Sequence, residues 1–308
     1  MEKDQTKKGI VTALVTYVIW GLLPIYWNFL DVFRADIVFS HRIIWSFVFI
    51  LLYIMLTGQR GDFIREAKAI INNKKAFFAI LGASLVIGLN WLVFIWAVQN
   101  GHVIQSSLGY YINPLMSVVL GVVILKERLS KVQQLSVLLA AIGVLYLTMT
   151  YNVFPWISLI LATTFAIYGL LKKIAQLNAT FSLMMETAVL APFALLYLWS
   201  QFGLNLGFHE DLTANILLLF TGIATAVPLL LFGVAVLYIP LSLVGIIQYL
   251  SPTLMLIIGV VLYKEAFTIH HLITFICIWI SVTLFVLSGL KQDKIRASTP
   301  EKLEKVDN

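Results

Sequence analysis

Two side chains in this 308-residue sequence carry full charge within stretches that otherwise read as hydrocarbon: Arg42, in SHRIIWSF (40–47), and Glu186, in MMETAVLAP (184–192). A charge at the centre of a membrane helix costs ~2.5–3.5 kcal/mol on insertion scales, so its default reading is functional. A guanidinium presents a planar set of donors to an anion, and a carboxylate takes up a proton or a cation. Arg42 is therefore expected to attract or hold an anionic group, and Glu186 to bind a proton or a cationic group. The competing reading is that each satisfies backbone carbonyls or polar neighbours inside its own half of the chain. His41 points ~100° away from Arg42 on a helix, and a packing role suits it better.

Polar and aromatic residues recur near these charges: Asn90-Trp91, Gln105 with Tyr110, Tyr111 and Asn113, and Gln248-Tyr249. Aromatic walls with a few convergent polar groups suit a small-molecule pocket, although amides in lipid also serve simply to bind helices together. Trp20, Asn90, Trp91, Tyr110, Tyr111, Tyr168, Gln248 and Tyr249 are the expected cavity-lining residues. Pro24, Pro114, Pro228 and Pro252 are candidate helix breaks or hinges, because proline frees backbone groups that a water-lined cavity can satisfy. His270-His271 lacks the i, i+4 spacing that would place two ligands on one helical face, so neither a metal nor a cofactor is expected. No GxxxxGK[ST] loop is present, which argues against ATP-driven chemistry by this chain alone.

The elements that must hold these residues are membrane helices. The chain is 60% hydrophobic and 12% charged, with a mean hydropathy of +0.94. Stretches of the ~20 residues needed to cross the hydrocarbon occur near 10–30, 36–56, 76–98, 103–125, 132–150, 154–171, 181–200, 213–237, 241–262 and 271–290. With the N-terminus inside, eighteen of the twenty-one Lys and Arg residues fall in inner segments, Lys172 and Lys173 among them. That bias predicts cytoplasmic termini. The inner loop at 57–75 spaces Phe63, Ile64, Ala67, Ile70 and Ile71 on one face, as an interfacial helix would.

YYINPLMSVVLGVVILKERLS (110–130) matches QYLSPTLMLIIGVVLYKEAFT (248–268) at an offset of 138 residues, and WGLL (20–23) echoes YGLL (168–171). The chain thus divides into a tail (1–9), a five-helix repeat (10–150), a second such repeat (154–290) and a charged tail (291–308) expected to be solvated. Five crossings per repeat force opposite orientations, which places Lys126 inside and its counterpart Lys264 outside. Inverted repeats are the architecture of many secondary transporters, with the site between the halves.

SHRIIWSF, NWLVFIWAV (90–98), SLGYYINPL (107–115), Glu186-Thr187, TAVPLLLF (225–232) and QYLSPTLM (248–255) together resemble RarD-type permeases, in the EamA branch of the drug/metabolite transporter superfamily. The resemblance runs from about residue 7 to 290. It implies a multi-pass permease of the bacterial inner membrane with ten helices and cytoplasmic ends. The reading is an all-α polytopic secondary transporter of a small organic metabolite or drug, working in the lipid bilayer by alternating access, with a proton as one candidate driving force and facilitated exchange as another. An integral-membrane enzyme acting on a lipid-type substrate is the alternative; it would need clustered Asp, Glu, His or Lys at one membrane face, and this chain has few. Nucleic acid is not an expected partner, because the basic residues sit in short patches between spans.

Overall fold

The computed structural model describes the backbone of residues 2–151, 154–264 and 267–304, with side chains among them except at 2–3, 98–99, 103–104 and 290–304. It is built from helices: α1 (Glu2–Asn28), α2 (Ala35–Leu56), α3 (Arg60–Asn72), α4 (Lys74–Gln99), α5 (Val103–Val123), α6 (Lys131–Thr150), α7 (Trp156–Ala175), α8 (Ala179–Phe202), α9 (Leu212–Tyr238), α10 (Leu241–Gln248), α11 (Leu250–Val261) and α12 (Ile269–Glu304). Among the described residues ten segments are long and apolar enough to cross a membrane, with α10 and α11 forming one of them. Large apolar side chains such as Leu138, Leu145, Phe193, Leu196 and Ile280 face out of the bundle, as they must where the surrounding solvent is lipid.

Local signals start several helices. Ser130 and Gln133 form a reciprocal capping box on α6, with Ser130 Oγ accepting from the Gln133 amide at 3.2 Å and Gln133 Oε1 from the Ser130 amide at 2.9 Å. Asn178 and Asp211 cap α8 and α9 through side-chain oxygens that accept amide hydrogens two residues on. The loop helix α3 turns Phe63, Ala67 and the buried Ile70 toward the bundle, with Phe63 edge-on to Phe181. Ile64 and Ile71, which share its apolar spacing, remain exposed on its outer side.

Two features add detail to what was expected. The charged segment after residue 290 continues α12 as helix to Glu304. It is rich in Lys, Glu, Gln and Arg, which propagate a helix readily once a span has nucleated it. Among the four expected breaks, the chain runs helically through Pro24, Pro114 and Pro228. Only the ninth span is interrupted, at Tyr249, where α10 gives way to α11 three residues before Pro252.

The packing of the spans is reciprocal. α7 packs on α4 and α5, while α1 packs on α9 and on α10 and α11; α2 meets α9, and α4 meets α8. α2 with α8, α5 with α10, and α6 with α12 are the other broad seams. Each pair maps onto another, or onto itself, when the first five spans are exchanged with the last five. The matching strings share backbone geometry too: Lys126 and Lys264, 138 residues apart, both adopt left-handed φ, at 57° and 58°.

Close approach sets two of these seams. A Cβ on Gly222 would lie 2.3 Å from the backbone carbonyl carbon of Trp45, so α2 and α9 touch main chain to main chain. A Cβ on Gly245 would lie 2.7 Å from the carbonyl oxygen of Pro114, locking α10 to α5. Small residues at helix crossings permit such contact. α5 packs along α10 yet meets α11 only slightly, so the fourth and ninth spans are tight at the end bearing Glu127 and splayed toward the other.

Candidate functional site

The seam between α2 and α9 carries the first site. Ser46 Oγ donates to the carbonyl of Gly222 at 3.1 Å, and one turn away Arg42 Nε donates to Thr225 Oγ1 at 3.0 Å. The half-buried guanidinium lies over the ring of Trp27, 4.6 Å from its centroid, and 5.7 Å from that of Trp91. These contacts draw Arg42 into a slot walled by α1 and α4, where cation–π attraction partly offsets its lost hydration. Among the described residues no carboxylate lies within ion-pair distance of it. The neighbouring acid, Asp36, is engaged by Arg34 at 2.7 Å and by the Tyr197 hydroxyl at 2.5 Å.

His41 is committed elsewhere. Its Nδ1 accepts from Trp45 Nε1 at 3.0 Å, which leaves Nε2 to donate to the Leu206 carbonyl at 3.0 Å. Both ring nitrogens are satisfied, so His41 ties the start of α2 to the loop after α8.

Glu186 is the centre of the second site. Its Oε1 lies 2.7 Å from Lys172 Nζ and accepts from Ser182 Oγ at 2.6 Å, while Oε2 accepts from the Tyr168 hydroxyl at 2.8 Å. Lys172 also donates to Ser182 Oγ at 3.1 Å. Both charged side chains are almost wholly buried, at 4% and 2% exposure for Lys172 and Glu186, so burial demands this pairing. Reading Lys172 as a loop lysine is therefore corrected: it sits within the span of α7, and its long stem lets the ammonium reach back into the bundle. Arg42 and Glu186 keep separate partner sets, one on the α2–α9 seam and one between α7 and α8.

A plug of aromatic rings adjoins the second site. Trp20 is 5.5 Å from Tyr17 and from Phe165, and 5.8 Å from Phe232; Phe232 stacks on Tyr168 at 5.9 Å with planes 12° apart. Trp20 and Tyr168, which open the matching WGLL and YGLL strings, thus share one cluster, and Tyr168 joins it to Glu186. Phe232 ends the TAVPLLLF string, and Lys172 lies one turn after Tyr168; both were legible as side chains but not as members of this group.

A cavity of about 40 Å³ opens beside the plug, lined by Asn90, Phe94, Tyr110, Asn113 and Phe165 among others. It admits a few waters and no metabolite, since solute pockets run to ~300 Å³ or more. Tyr110 meets Phe94 edge-on, 6.4 Å between ring centroids. Asn90 spends its amide on α7, donating to the Leu161 carbonyl and to Thr164 Oγ1, both at 2.8 Å. Tyr111 and Tyr249 lie elsewhere: they pack in a separate cluster with α6 and α12, Tyr111 edge-on to Phe275. Gln248 is buried at the end of α10.

Among the described residues four buried polar atoms find no hydrogen-bond partner: Tyr17 OH, Asn113 Oδ1, Gln248 Oε1 and Tyr249 OH. They come from α1, α5 and the α10–α11 break, and α1 and α5 both pack on that broken span. Unsatisfied buried groups cost ~1–3 kcal/mol each, and water or a solute that reached them would recover it.

At the tight end of the fourth and ninth spans, Glu127 holds the start of α10. Its Oε1 and Oε2 accept from the amides of Leu241 and Ser242 at 2.7 and 2.9 Å. Lys173 donates to the carbonyl of Ile239 at 2.7 Å, so opposite charges grip the two sides of the α9–α10 turn. The counterpart of Glu127, Glu265, lies outside the described residues. His270 and His271 meet different tyrosines, Tyr146 and Tyr151, and among the described residues no group of three His, Cys, Asp or Glu side chains is placed to hold a metal ion.

The profile of the EamA-like transporter family matches twice, over residues 7–149 and 155–287. An uncharacterized transporter, YojE, of Bacillus subtilis is 40% identical over 94% of this chain and 97% of its own length. Protein RarD of Escherichia coli is 38% identical over 94% of this chain and 97% of its own. A solved crystal structure shares the fold with a TM-score of 0.70 at 12% identity, covering 91% of this chain and 98% of the other.

Proposed function

This chain belongs to the EamA-like transporter family, and from that premise we propose that it is a secondary transporter that works by alternating access. It is a multi-pass membrane permease for small molecules. The finer reading is that two inverted halves rock about the α2–α9, α4–α8 and α5–α10 seams, moving a small organic metabolite or drug past Arg42. The observation that carries this is Arg42 itself, a guanidinium on a seam between the halves with aromatic walls and no carboxylate. The twofold match to the family and the reciprocal packing support the inverted arrangement, with the termini on the cytoplasmic side where Lys and Arg concentrate.

Glu186 is the coupling candidate. Taking up a proton would release Lys172 and loosen α7 from α8, which gives protonation a conformational consequence. Tight packing at the Glu127 end and splaying at the other support a shape closed toward the face that carries Lys126.

Reconstitution of the purified chain into liposomes, with a solute panel and with or without an imposed pH gradient, tests the reading. Saturable flux of a panel member is expected. Absence of specific flux under both conditions would overturn transport, and flux indifferent to the gradient would remove the proton.

A further inference from the structure

The charges within the spans leave one sign unanswered. Glu186 is neutralised by Lys172, and Asp36 by Arg34 with Tyr197. Lys173, near the end of α7, is occupied by backbone carbonyls. Arg42 has no carboxylate within ion-pair distance among the described residues, and of its donors Nε is the one bonded within the protein. The two Nη groups remain as a fork whose geometry fits the two oxygens of a carboxylate. Among the described residues no carboxylate lies within ion-pair distance of the fork to receive an ammonium.

The surroundings define the rest of the ligand. The guanidinium lies between the rings of Trp27 and Trp91, and Phe39 meets Trp91 edge-on at 5.9 Å. Trp91 follows Asn90, which lines the small cavity with Phe94, Tyr110 and Phe165. Walls of this kind bury a flat apolar body and offer an aliphatic polyol little.

We propose that the Arg42 slot binds small organic monoanions, a carboxylate carried on a flat, mainly apolar body, in preference to the corresponding neutral, cationic or zwitterionic molecules. The bound carboxylate supplies the counter-ion that Arg42 lacks, and its body lies against Trp27 and Trp91. The inference rests on the transport reading for its biological sense, but it is a statement about binding and is tested as one.

The full chain in lipid nanodiscs is titrated with benzoate, benzamide, benzylamine and 4-(aminomethyl)benzoate, following tryptophan fluorescence and the shift in Tm. Benzoate is expected to bind at least about tenfold more tightly than the other three, as loss of a charge-assisted pair implies. In R42Q the preference should vanish, and in R42K, which keeps the charge but not the fork, it should shrink. Equal binding of benzamide or benzylamine to the unaltered protein, no benzoate binding, or undiminished preference in R42Q would each overturn the proposal. The ligand comparison needs no variant, so a folding defect in R42Q does not shield it. Arg42-dependent benzoate binding without flux of any solute would overturn the transport reading and leave this one standing. Saturable flux of cations that is indifferent to Arg42 would do the reverse.

Discussion

Lys172 Nζ stands 2.7 Å from Glu186 Oε1, and the pair is closed off by Ser182 and Tyr168 with almost no exposure. Removing one member strands the other charge in low dielectric, which costs ~3–5 kcal/mol, whereas removing both is often neutral. Lys172→Met is therefore expected to destabilise the purified protein strongly, and the double variant Lys172→Met/Glu186→Met to regain most of the loss. Thermal unfolding of the three proteins in one detergent checks this; a double variant as unstable as the single would show that the pair is not the cause.

The same pair bears on coupling. Glu186→Gln keeps the shape and hydrogen-bonding capacity of the side chain but cannot exchange a proton. Gradient-driven flux should fall to the level seen without a gradient, while gradient-free exchange persists. Liposome assays at matched protein content measure both, and undiminished stimulation by the gradient would move the proton site elsewhere.

Gly222 and Gly61 should separate contact from propensity. A Cβ at Gly222 meets the Trp45 main chain at 2.3 Å, and backbone cannot step aside, so Gly222→Ala is expected to cost ~1–3 kcal/mol or more. Gly61, in the first turn of α3, has nothing within 4 Å, and Gly61→Ala should be neutral or stabilising by up to ~1 kcal/mol. Unfolding midpoints of the two variants decide the comparison.

Glu127 clamps the amides of Leu241 and Ser242, and Gly245 seats α10 on Ser117 and Pro114. With the clamp removed in Glu127→Ala, the tight end of the α5–α10 seam should open more often. Replacing Cys277 by Ala and Ser117 by Cys provides a reporter: its labelling by a membrane-impermeant maleimide from the Lys126 face should rise several-fold when E127A is added. Unchanged labelling would leave Glu127 as a helix cap and no more.

The Arg42 slot also predicts roles for its walls. Trp27→Leu removes the nearer ring, and with it a cation–π contact worth ~1–2 kcal/mol in a desolvated site. Benzoate affinity should drop severalfold, and Phe78→Leu, on the exposed outer side of α4, should leave it unchanged. Titrations of both variants, under the conditions used for the unaltered chain, supply the test.

Much of the fold was legible in the residue order. The spans emerged because a hydrocarbon slab sets a length and a composition that each segment must meet by itself, and the ten apolar helices follow them within a few residues. Arg42 and Glu186 stood out for the same reason, as local exceptions to a local rule. The interfacial face of α3 was visible as periodicity, apart from Ile64 and Ile71, which share its spacing but face away from the bundle.

What the tertiary structure decided was the company each charge keeps. Lys172 lies at the end of an apolar run, and hydropathy cannot tell a stem that reaches out from one that turns back to a carboxylate fourteen residues on. Thr225, 183 residues from Arg42, is an ordinary threonine until α9 crosses α2 against Gly222. The interruption at Tyr249 but not at Pro114 is also a matter of packing, because the two prolines occupy equivalent places in matching strings. Local sequence determines which segments are helical and which charges cross the membrane; partners depend on crossings between distant helices, where backbone contact at a glycine or the reach of a lysine stem selects the neighbour.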